Sequence, residues 1–119
     1  MGESALAHAG PGWLFCPADR PERFAKAAAA ADVVILDLED GVAAKDREAA
    51  REALIASQLD PTRTVVRLNP AGTPDHQLDR EAVAKTPYRS VMLAKTESAD
   101  QVAALAPLEV VVLVETPLG

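Results

Sequence analysis

The chain has 119 residues, 49% hydrophobic and 25% charged, the balance of an ordinary globular domain large enough to bury a core. Its net charge of −6 argues against nucleic acid as the main partner, since that role needs a basic face. No window approaches the roughly 18 consecutive apolar residues of a membrane span, and the first twelve residues lack the basic-then-apolar order of a secretory signal.

Residues 1–12 read as a mobile tail and 13–119 as one domain. Aromatics make up only 3% of the chain, so the core is expected from Val, Leu, Ile and Ala. Trp13-Leu14-Phe15-Cys16 forms a first short strand stopped by Pro17. Asp19 then reads as a helix N-cap, with Glu22 completing a capping box and Pro21 in the first turn, ahead of a helix from Arg23 to Ala30. Val33 to Leu38 is the second strand. A helix over Lys45 to Ser57 places Ala49, Ala53 and Ala56 on one face. Thr64 to Leu68 is the third strand, and Thr73-Pro74 opens a third helix that must stop before Pro87. Ser90 to Ala94 is the fourth strand. Ser98 with Gln101 caps a short fourth helix ending at Pro107, and Glu109 to Val114 is the fifth strand.

This strand–helix alternation means a parallel sheet with right-handed crossovers. Five strands and four helices make either an open doubly wound α/β sheet or just over half of an eightfold (β/α) barrel, and a complete barrel takes about 250 residues. The chain is read as the N-terminal part of a single TIM barrel. Cys16 stands alone, which excludes an internal disulfide and points to a reducing cytoplasm. It lacks an obvious His partner, so a packing role is favoured over a nucleophile.

Charge recurs where the apolar strands end. Glu39, Arg67 and Lys95 are spaced by 28 and 28 residues, and Glu115 follows after 20. Charges at the carboxyl ends of doubly buried strands are costly unless those ends open onto a site. Alternation puts Val33, Ile35, Asp37 and Glu39 on one face, as it does Val65, Arg67 and Asn69, Leu93 and Lys95, and Leu113 and Glu115. If these faces line one interior, its upper layer holds three acids (Asp37, Glu39, Glu115) and two bases (Arg67, Lys95). A hard divalent cation such as magnesium would balance them. No His or Cys cluster suggests zinc; His8 lies in the tail and His76 in a polar helix start. Arg67 offers a planar fork for a carboxylate or a developing oxyanion. The bland alternatives are a solvated acidic turn before Gly41, a surface ion pair at Arg67, and a Lys95 that reaches to solvent.

Five segments then occur in a familiar order: Leu14 to Arg23, Ala31 to Val42, Val66-Arg67-Leu68-Asn69, Leu93-Ala94-Lys95 and Glu115 to Gly119. Together they resemble the citrate lyase β-subunit-like branch, in its stand-alone form, of the HpcH/HpaI aldolase superfamily. The resemblance implies a TIM barrel that binds magnesium and acts as a carbon–carbon lyase. Its substrate would be a 3-hydroxyacyl thioester of the malyl-, citramalyl- or citryl-CoA type, on coenzyme A or an acyl carrier, and its products an acetyl thioester and an oxo acid. It implies that Arg67 contacts the oxo acid's carboxylate and carbonyl oxygens, and that Glu115 ligates the metal, with a second ligand Asp expected beyond residue 119. Asp37 and Glu39 would lie in or beside the metal's outer shell, with Lys95 also on the substrate side, and the loop from Pro17 to Arg20 near the thioester carrier. The family tends to homotrimers. Its pyruvate-aldolase branch has His where this chain has Asp40, which favours the thioester branch over a class II pyruvate-type aldolase. A non-catalytic scaffold or assembly subunit is the other reading.

Overall fold

The computed structural model of the chain describes residues 12–94 and 108–113. Five strands, β1 (Trp13–Pro17), β2 (Val33–Asp37), β3 (Thr64–Arg67), β4 (Ser90–Ala94) and β5 (Glu109–Leu113), form one sheet. Every pairing is parallel and the spatial order is β1-β2-β3-β4-β5. The order never reverses across the described strands, whereas a doubly wound sheet reverses at its switch point. Pro17, Asp37, Arg67 and Met92 lie side by side in one row across the sheet.

Three helices, α1 (Phe24–Ala30), α2 (Arg47–Ala56) and α3 (Pro74–Val83), connect the strands. Phe24 and Ala27 of α1, Ala50 and Leu54 of α2 and Ala82 and Val83 of α3 share one core cluster with Val34, Leu36, Val66 and Leu93. The opposite sheet face carries a second, smaller cluster of Val33, Ile35, Val65 and Met92. Burial on both faces explains why β2 shows no polar alternation. The core is mostly aliphatic, as expected, but Phe24 is buried, and Tyr88 is the largest fully buried side chain among the described residues. Its hydroxyl is hydrogen-bonded to Ser57 Oγ at 2.6 Å and accepts from the Leu59 N–H at 3.1 Å, which makes its burial tolerable.

Local punctuation was partly misread. The capping box of Asp19 and Glu22 does not form. Pro21 instead starts a 3-10 turn over Pro21–Arg23, whose cap residue is Arg20 and makes no side-chain capping bond. In α2 the inward residues are Ala50, Arg51 and Leu54; Ala49 and Ala56 are exposed and Ala53 is half-buried. Beside its buried Ala50 and Leu54, α2 turns Arg51 inward to pair with Asp75 and Asp79 of α3. Thr73 does cap α3, its hydroxyl accepting from the His76 N–H at 3.2 Å. The expected fourth helix and the N-terminal tail up to residue 11 lie outside the described residues.

Candidate active site

The carboxyl ends of β2 and β3 bring three of the expected residues together. Asp37 closes β2 and is 4% exposed. Its Oδ1 accepts from the Glu39 N–H at 2.8 Å and its Oδ2 from the Gly41 N–H at 3.0 Å, the local side-chain-to-backbone bonding that Asp favours in turns. Gly41 suits this turn because a Cβ there would sit 3.1 Å from Asp37 Oδ2. Asp37 thus shapes the acidic loop rather than offering a free oxygen.

Glu39 is turned toward Arg67, the last residue of β3. Arg67 Nη2 forms an ion pair with Glu39 Oε1 at 3.0 Å, while Nη1 lies 3.7 Å from Asp37 Oδ2. Above the guanidinium carbon lies the Phe15 ring, 5.4 Å to its centroid, a cation–π contact from β1. Burial pushes the Glu39 carboxyl above the ordinary glutamate range; Arg67 pulls it down, Asp40 and Asp37 push it further up, and Arg47 opposes them. Arg67 keeps 15% of its side chain exposed and Glu39 27%. The pair is accessible and held at one edge only, so an anionic ligand can compete with Glu39 for the guanidinium.

Asn69 departs from its expected place. Instead of sharing a face with Arg67, it is 2% exposed and bonded to α3: its N–H and its Nδ2 each donate to Asp79 Oδ2 at 2.8 Å. The strand has ended by then, and the face rule ends with it. His76, expected in a polar helix start, is buried with Nδ1 2.8 Å from the Asn69 carbonyl oxygen. Leu93 packs in the cluster under the helices, and Met92 is the β4 residue in the row of Arg67, so Leu93 itself lies on the face opposite to the expected one. Lys95 and Glu115 themselves lie outside the described residues.

Among the described residues no three His, Cys, Asp or Glu side chains form a group able to hold a metal ion. Each Asp37 oxygen accepts from one N–H group, and one Glu39 oxygen is paired with Arg67. Cys16 is buried among the aliphatics, where burial raises its thiol pKa against the pull of Arg23. That is the packing role expected of it. Phe15 and Asp79 were missed, and Asn69 was assigned to the wrong face. Phe15 had a signal, since strand alternation from Pro17 puts it on the face of Asp37; Asp79, in a helix 12 residues past Arg67, had none.

Comparison with known proteins fits this geometry. The family model for HpcH/HpaI aldolase/citrate lyase matches residues 12–113. A citrate lyase subunit beta-like protein of Mycobacterium tuberculosis is 68% identical over 114 residues, covering 96% of this chain and 42% of the relative. A crystal structure of protein CitE from M. tuberculosis in complex with magnesium, acetoacetate and coenzyme A is 69% identical, with a TM-score of 0.88 over 92% of this chain and 41% of that one. A citrate lyase beta subunit from the same organism, complexed with oxaloacetate and magnesium, is 68% identical, with a TM-score of 0.89 over 94% and 50%. The chain thus spans less than half the length of the curated relative it matches.

Proposed function

The chain belongs to the HpcH/HpaI aldolase/citrate lyase family, and from that premise we propose that the whole protein is a magnesium-dependent carbon–carbon lyase built on a TIM barrel, of which these are the first five strands. Its substrate class is a 3-hydroxyacyl thioester of the malyl-, citramalyl- or citryl-CoA type, on coenzyme A or an acyl carrier. The products are an acetyl thioester and an oxo acid. The observation that carries the reading is Arg67, exposed on one side at the strand ends between Phe15, Asp37 and Glu39. Relatives with oxaloacetate, acetoacetate, coenzyme A and magnesium bound support it, as does the sequential sheet with its described helices packed on one face.

In this mechanism Arg67 holds the carboxylate and carbonyl oxygens of the oxo-acid half. Glu39 gives up part of its hold on the guanidinium as that anion arrives. Phe15 keeps the guanidinium plane fixed, and Asp37 keeps the acidic loop folded against it. A base removes the proton of the 3-hydroxyl, the carbon–carbon bond breaks as the carbonyl forms, and the electron pair leaves on the thioester as an enolate that is then protonated. Magnesium, when bound, polarises the oxo-acid oxygens; Glu115 and an Asp beyond residue 119 would hold it, and Lys95 would stand on the substrate side. The protein acts in the cytoplasm as a homotrimer.

Glu115→Gln in the whole protein is the test. It keeps size and shape but removes the ligand charge, so magnesium affinity should fall and cleavage should be abolished with the fold intact. Loss of structure without a change in magnesium affinity would make Glu115 a core ion-pair residue and end this reading.

A further inference from the structure

The β2–β3 ladder ends early. Its last backbone bond runs from the Leu38 N–H to the Arg67 carbonyl at 3.0 Å. One step further out a side chain takes over: Asn69 Nδ2 donates to the Leu38 carbonyl at 2.9 Å and to Asp79 Oδ2 at 2.8 Å. Both neighbours are acceptors only, so the amide nitrogen must face them, and both of its hydrogens are used. Asp79 is fully buried, and its other oxygen takes Arg51 Nε at 2.9 Å, which fixes the carboxylate against α2.

The peptide so gripped is the one between Leu38 and Glu39. Its carbonyl is held by Asn69, and its N–H by Asp37 Oδ1 at 2.8 Å. A peptide plane held at both ends resists rotation, and it fixes the Cα from which the Glu39 side chain reaches Arg67. We infer that Asn69, anchored by Asp79, is a positioning residue that sets the Glu39–Arg67 pair. This rests on the reading of Arg67 as the group that binds the oxo acid. Leu, Ser or Asp at position 69 could not donate to both acceptors at once.

The whole protein with Asn69→Ala is compared with wild type and with Leu54→Ala, a core variant remote from the strand ends. Two quantities are read: amide hydrogen exchange across residues 37–41, and oxaloacetate affinity in the presence of magnesium. Asn69→Ala should speed exchange in that segment about tenfold, the worth of one lost hydrogen bond. It should weaken oxaloacetate by a similar factor and leave exchange in β1 unchanged. Leu54→Ala should speed exchange broadly and leave oxaloacetate affinity as it was. If Asn69→Ala does not fold, Asn69→Ser, which keeps one donor, is read against the same expectations. Exchange that rises evenly over the chain, or an unchanged oxaloacetate affinity, would overturn the inference and leave Asn69 a plain scaffold residue. Wild-type protein that fails to bind oxaloacetate would sink the lyase reading alone, because the exchange measurement reports on Asn69 whatever the protein binds.

Discussion

Arg51 and Arg67 each face carboxylates, yet the two regions around them are built for different ends. Arg51 donates through Nε to Asp79, through Nη2 to Asp75 and through Nη1 to Glu48, and only 7% of its side chain is exposed. Arg67 holds Glu39 closely and Asp37 only at 3.7 Å, and 15% of its side chain is exposed. Burial would lower the Arg51 pKa, but its hydrogen bonds to Asp79 and Asp75 outweigh that and raise the pKa overall. At Glu39 the balance reverses, because burial outweighs Arg67. The closed cluster satisfies its charges within the fold. The open one leaves a carboxyl raised above its ordinary pKa by burial, beside a guanidinium that it holds through one close contact, and such a pair is suited to being parted by a ligand.

The largest expected effect lies in the closed region. Asp79→Ala strips Arg51 Nε of its acceptor and leaves the Asn69 N–H and one hydrogen of its amide without theirs. Breaking a buried pair in this way should lower unfolding free energy by about 3–5 kcal/mol, measured by chemical denaturation. A loss below about 1 kcal/mol, the range of exposed pairs, would erase the distinction between the two regions.

Much of the open region was legible because strand periodicity and the repeated βα unit act within a few residues. Asp37, Glu39 and Arg67 ended their strands where the apolar runs stopped, and the structure brings them together. The face of β4 was not legible: it depends on register, Met92 rather than Leu93 stands in the row of Arg67, and a shift of one residue inverts every side chain. The closed region was almost invisible. Arg51 and its partner Asp79 stand 28 residues apart on different helices, and nothing in an alanine-rich stretch announces an arginine that turns inward. Asn69 was named, but its face was taken from a strand rule that stops at Arg67.

A smaller effect sharpens the electrostatic contrast. The Glu39 carboxyl titrates above its ordinary value, chiefly through burial, so the folded chain binds this proton more tightly than the unfolded one. Its favourable contribution is full below the ordinary glutamate pKa and is lost as pH rises through the raised one. Asp75 runs the other way. Burial pushes its carboxyl up, but hydrogen bonds from Arg51 and Arg47 bring it below the ordinary value, so its contribution is present above that value and lost as pH falls through the lowered one. Glu39→Gln should therefore gain stability relative to wild type as pH rises above the ordinary glutamate pKa, by less than about 1 kcal/mol. Thermal unfolding across that range checks it, and a variant that instead loses stability with rising pH would place the favourable charge at Glu39 itself.

The central claim is that Arg67 serves a ligand while Arg51 serves the fold. The most direct measurement is oxaloacetate affinity by calorimetry, with magnesium present, for the whole protein with Arg67→Ala, alongside its unfolding free energy. The account predicts that affinity falls by about a hundredfold, as for a lost charged hydrogen-bond donor in a closed site, while stability changes by no more than about 1 kcal/mol. Retained affinity with a stability loss of several kcal/mol would make Arg67 a second structural knot and contradict the claim.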